Sequence, residues 1–146
     1  MTDSKPDTIE HCLGRMRAAA GAADAEAFAA EFDEDATYVT FFGQAVLGRR
    51  EIESFHRAAF TKFPPGARML IKAISVRPLG EDSASVLTVG GIGAGPDIPF
   101  DKFQTFAMVR RDGRWACAAF HNTEMSAAAK QEYNADQTAP SAAVEP

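Results

Sequence analysis

Asp112-Gly113-Arg114-Trp115-Ala116-Cys117-Ala118-Ala119-Phe120-His121-Asn122-Thr123 opens with a tight polar turn, continues as an apolar strand, and finishes in an imidazole, an amide and a hydroxyl. Side chains alternate along a strand, so one face of this segment must pack on a core while its polar end can look into a cavity. With strict alternation Trp115, Cys117, Ala119 and His121 share one face, and Phe120 and Asn122 take the other. A bulge inside the strand would exchange those faces beyond it. This pattern suits a small-molecule pocket better than a nucleic-acid groove.

Outward from that segment, residues 102–110, 83–90 and 68–78 alternate with the same period of two, and Glu81-Asp82 and Arg111-Asp112-Gly113 supply hairpin turns. The link from Gly90 to Pro99 is rich in Gly and Pro and reads as a lid or hairpin connection. Upstream, Gly48-Arg49-Arg50-Glu51 starts a helix whose apolar stripe holds Ile52, Phe55 or His56, Ala59, Phe60 and Phe63. Pro64-Pro65-Gly66 ends it, because proline cannot continue the hydrogen-bond ladder. Residues 36–42 form a β-branched and aromatic strand, returned by Gly43-Gln44 into 45–47.

Asp24 caps a helix over 25–32, and the acidic Asp33-Glu34-Asp35 run reads as a solvated turn. Asp7 and Glu10 look like a capping box for a first helix carrying Ile9, Leu13, Met16 and Ala20, with Gly21 as its left-handed end. The order is helix, helix, strand pair, helix, then four long strands. It specifies an α+β domain over 1–125, a curved, mostly antiparallel sheet wrapped around N-terminal helices. The Ala- and Pro-rich residues 126–146 extend a helix briefly at most, and read as a disordered tail.

Composition narrows the function. A 146-residue chain can bury roughly two thirds of its unfolded surface, so it needs neither disulfide nor metal to hold a core. Eleven Phe against two Tyr and one Trp imply an interior or interface lined with rings that carry no polar handle. A net charge of −5 argues against nucleic-acid partners, which demand clustered Lys and Arg. Cys12 and Cys117 lie far apart and read as small buried hydrophobes. No apolar run is long enough to span a bilayer and Met1–Pro6 has no apolar signal core, so a cytoplasmic protein without membrane partners is expected.

Four blocks carry a resemblance: Asp24-Ala25-Glu26-Ala27-Phe28, Asp35-Ala36-Thr37-Tyr38-Val39, Gly48-Arg49-Arg50-Glu51-Ile52 with Phe55-His56, and Asp112-Gly113-Arg114-Trp115 with Ala119-Phe120-His121-Asn122-Thr123. On them the chain resembles, over roughly 8–125, the SnoaL-like branch of the nuclear transport factor 2-like superfamily. More narrowly it resembles the SgcJ/EcaC-type family, whose name is associated with natural-product pathways. The resemblance implies a cone-shaped cystatin-like α+β barrel with a deep pocket at its open end, often dimeric through the sheet. That superfamily holds steroid isomerases, dehydratases, epoxide hydrolases, polyketide cyclases and inert binding modules, and fold alone does not choose among them.

The candidate site follows. His56 shares the stripe of Ile52, Phe60 and Phe63. It is either a hydrogen-bonded structural residue or, as the resemblance to steroid isomerases implies for its position, a polar group reaching the pocket and able to move protons. His121 is its expected partner. Tyr38 and Asn122 would orient or stabilise oxygen, and Thr40, Phe60, Phe106 and Trp115 complete the substrate surface. Thr40 falls where related steroid isomerases place a carboxylate base, and threonine cannot serve as one.

Gly91, Gly93 and Gly95 are followed by prolines rather than a helix, which removes the phosphate-loop reading. His11, His56 and His121 have no ligand spacing, so no metal and no cofactor are expected. The expectation is a dimeric binder of a small hydrophobic metabolite, with isomerase-, cyclase- or dehydratase-type acid–base chemistry on a polyketide-like substrate. Its rival is a non-catalytic binding or assembly module.

Overall fold

The computed structural model describes residues 5–135. Its elements run α1 (Ile9–Gly21), α2 (Ala25–Ala29), β1 (Phe32–Val39), β2 (Ala45–Leu47), α3 (Arg49–Phe60), β3 (Arg68–Gly80), β4 (Ser83–Gly93), β5 (Lys102–Arg111), β6 (Arg114–Glu124) and α4 (Ala127–Tyr133). The strands make one sheet in the order β2-β1-β6-β5-β4-β3. Every neighbouring pair is antiparallel except β1 with β6. The exception has a simple cause: after the β1–β2 hairpin, α3 carries the chain to the far edge, and three hairpins bring it back until β6 lies beside β1.

Register shifts between Ala73 and Ser75, between Ala107 and Met108, and between Phe32 and Thr37 bend the sheet, since an extra residue on one strand kinks it and increases its twist. The concave side holds the helices, α1 against β3 and β6 and α3 against β1 and β2. The core between them includes Leu13, Met16, Phe28, Phe32, Ile52, Val86, Phe106 and Met108. Cys12 and Cys117 are both buried there, and burial, helped by the Glu31 carboxylate to which the thiol donates at 3.3 Å, pushes Cys12 up to about 12 and keeps it a thiol.

Several local expectations change. The N-cap of α1 is Thr8, whose hydroxyl accepts from the His11 amide at 3.0 Å. Asp7 is committed elsewhere: it accepts from Arg15 at 2.8 and 3.1 Å and from the Trp115 backbone amide at 2.8 Å. The left-handed residue after α1 is Ala23, at φ 54°, not Gly21. α2 stops at Ala29, and the acidic run is part of β1, not a solvated turn.

Asp33 is buried there because Arg111 reaches it with a forked guanidinium contact, at 3.0 and 3.2 Å. Glu31, also buried, is met by Arg15 and Arg114, each at 2.9 Å. These charge-assisted bonds clamp the closed end of the cone. At the other end the brief helical extension after residue 126 is α4, where Tyr133 packs edge-on against Phe103 and the Asn134 amide bridges the backbone of Phe100. Residues 136–146 of the expected tail lie outside the described residues.

Candidate functional site

Between the concave face and the helices lies a cavity of about 540 Å³, within the usual range for small-molecule sites. Rings from four directions line it: Phe28 and Phe32 from the α2–β1 junction, Tyr38 from β1, Phe55 and Phe63 from α3 and its end, Phe106 and Phe120 from β5 and β6. Phe41 and Phe42 are 45% and 59% exposed and mark the opening. Their loop turns on Thr40, whose hydroxyl accepts from the Gln44 amide at 2.9 Å.

His56 lies one helical turn from both Ile52 and Phe60, and all three are buried. Its Nδ1 is 2.8 Å from the Ile52 carbonyl oxygen. A carbonyl only accepts, so Nδ1 carries the proton. Nε2 is then the acceptor for the Tyr38 hydroxyl, 3.1 Å away. Phe28, Phe55, Phe60 and Tyr38 surround the imidazole at ring separations of 4.4, 5.1, 5.5 and 4.9 Å. Burial among them pushes its pKa down to about 4, with the Ile52 bond opposing, and burial raises the Tyr38 phenol above its ordinary value. The pair is neutral at pH 7.

His121 does not join it. Ala107 pairs with Ala119 and Met108 with Cys117, which leaves Ala118 without a partner. This bulge exchanges the faces: Trp115 and Cys117 point inward, and beyond Ala118 it is Phe120 and Asn122 that do so, while His121 is exposed. The two imidazoles do not converge.

Two other expected contacts move. Trp115 is buried at the closed end under the Arg110 guanidinium, 5.2 Å from its ring, and is not on the cavity wall. Phe60 stands behind the wall, packed on Phe28, His56 and Phe63. Tyr38, Thr40, His56, Phe106 and Asn122 do line the cavity.

Gln104, Asp101 and Lys102 are wall residues that the reading of the sequence passed over. The signal was available for two of them: alternation from Phe106 along β5 puts Gln104 and Lys102 on the same inward face. Lys102 Nζ lies 3.0 Å from Asp101 Oδ1 and 4.4 Å from the centre of the Phe41 ring. Among the described residues no group of three or more His, Cys, Asp or Glu side chains is placed to hold a metal ion. No helix among them is long and apolar enough to cross a membrane.

Comparison with known proteins completes the description. Residues 9–126 match the family model of the SnoaL-like domain. No curated protein matches the chain. Among solved structures, a domain of unknown function with a cystatin-like fold from Nostoc punctiforme is 24% identical, with 89% of this chain and 83% of that one covered at a TM-score of 0.72. An NTF-2 like protein of unknown function from Shewanella oneidensis is 16% identical, covering 80% and 96% at 0.66. A ketosteroid isomerase-like protein from Erwinia carotovora atroseptica is 19% identical, covering 81% and 94% at 0.63. At these identities the structures speak for the fold alone.

Proposed function

We propose that this chain, which belongs to the SnoaL-like domain family, binds a small, largely apolar, ring-bearing molecule in its aromatic cavity. The observation that carries the reading is the cavity itself, about 540 Å³ walled by Phe and Tyr rings with few polar groups among them. Within the family we place the chain with the SgcJ/EcaC-type proteins on the four sequence blocks named at the outset, and a polyketide-like metabolite is the natural occupant of such a hollow. We also place it in the cytoplasm as a homodimer, a second copy meeting the exposed Ile74, Val76 and Leu79 of β3.

Acid–base turnover is the second reading, favoured by the Tyr38–His56 contact on the cavity wall. In that reading Tyr38 exchanges a proton with the ligand while His56 Nε2 holds the tyrosine proton. The low pKa of His56 opposes full transfer, because an imidazolium would stand unsolvated among rings. Hydrogen bonding to a ligand oxygen by a neutral pair is the better supported role.

Calorimetric titration with 1-naphthol tests the binding reading. Saturable one-site binding tighter than about 100 μM is expected, lost in Ala59→Trp, which fills the hollow from α3. Absence of binding to the native chain, or undiminished binding to a folded Ala59→Trp variant, overturns it.

A further inference from the structure

Gln104 and Asn122 face one another across β5 and β6, as Thr88 and Gln104 do across β4 and β5. Both amides line the cavity. The Gln104 carbonyl oxygen is taken by the Thr88 hydroxyl at 2.8 Å, which orients the amide and leaves Nε2 as a free donor with no hydrogen bond among the described residues. Gln104 is 7% exposed, and it stands on the cavity wall. Across from it the Asn122 Oδ1 is buried and has no hydrogen-bond partner. The place of the Gln104 amide is built into the fold: a Cβ at Gly90 would come within 2.5 Å of its oxygen and within 2.6 Å of the Leu70 carbonyl.

We propose that Gln104 and Asn122 form an amide clamp that selects a neutral ligand carrying a hydroxyl group, an alcohol or phenol on an apolar ring system. This deepens the binding reading above and rests on it. A buried polar atom without a partner is costly; Asn122 Oδ1 is one, and the unengaged Gln104 donor belongs to the residue paired with it across the two strands. A hydroxyl satisfies both, accepting from Gln104 Nε2 and donating to Asn122 Oδ1. A ketone or ether satisfies only the first. A carboxylate would meet Asn122 Oδ1 with repulsion, and of the two lysines on the wall Lys102 already lies 3.0 Å from Asp101 while Lys62 is exposed to water.

The test compares 1-naphthol, its near-isostere 1-methylnaphthalene and 1-naphthoate by calorimetry at pH 7. The readout is the ratio of naphthol to methylnaphthalene affinity. It should fall about tenfold or more from the native chain to Gln104→Leu/Asn122→Leu, with methylnaphthalene binding kept. If the double variant does not fold, Asn122→Leu alone should lower the ratio about fivefold. An unchanged ratio, or naphthoate binding tightest to the native chain, overturns the clamp and leaves the apolar pocket standing. Failure of all three molecules to bind the native chain overturns the pocket reading as well.

Discussion

His56 is held neutral by two bonds and four rings, and its stability linkage follows. Its pKa is about 4 in the folded chain against an ordinary 6.5, so the unfolded chain takes up a proton first as the pH falls. Its contribution to stability is therefore whole above about 6.5 and is lost as the pH drops toward about 4. Thermal melts of the native chain should lose stability across that window, and His56→Gln should flatten the loss; an unchanged slope would contradict the assignment. Tyr38→Phe strips Nε2 of its donor and should cost about 1–2 kcal/mol in urea unfolding. Asp7 sits at the opposite limit, where the Arg15 guanidinium holds its carboxyl down to about 2. Its contribution is whole above about 4 and lost as the pH falls through about 2, a loss that Asp7→Asn should abolish. His56 and Tyr38 were legible from helical and strand spacing. Asp7 was not, because a carboxylate one residue before a threonine cap looks like the cap itself.

At the scale of elements, close backbone approaches fix the sheet's shape. A Cβ at Gly91 would run into the Pro99 carbonyl, an atom that cannot rotate away. Gly91→Ala should therefore destabilise by about 2–3 kcal/mol, whereas Gly95→Ala meets open space and pays only for its positive φ; urea unfolding of the two separates them. The four long strands, their turns and α3 were readable because period-two alternation and Pro64-Pro65-Gly66 leave little choice. The bulge at Ala118 was not, since in Ala116-Cys117-Ala118-Ala119 small apolar residues stand on both faces and carry no phase. That lost phase took His121 out of the site, while Asn122, expected to hold oxygen there, stays on the cavity wall. The α2–β1 boundary was misplaced for a related reason: Asp33 looks solvated until Arg111, distant in sequence, arrives to pair with it.

For the whole molecule, arginines meet the buried carboxylates of Glu31 and Asp33 at one end of the cone, Phe rings mark the opening at the other, and a phenylalanine-rich core lies between. Its exposed apolar residues lie partly on the outer strand, where Val76 and Leu79 are 52% and 60% exposed. Sedimentation should find a dimer that Val76→Lys/Leu79→Lys converts to monomer; a native monomer would remove the second copy from the account. The fold was legible from element order, and the cavity's aromatic walls from composition, whereas the polar groups inside depend on which face each strand turns inward. The central claim is that the ring-lined hollow is a binding site. Its most direct measurement is nuclear Overhauser contact between bound 1-naphthol and the assigned side chains. Contacts to Phe55, Phe106, Phe120 and Asn122 with none to His121 are predicted, and contacts confined to the outer sheet face or to His121 would contradict the claim.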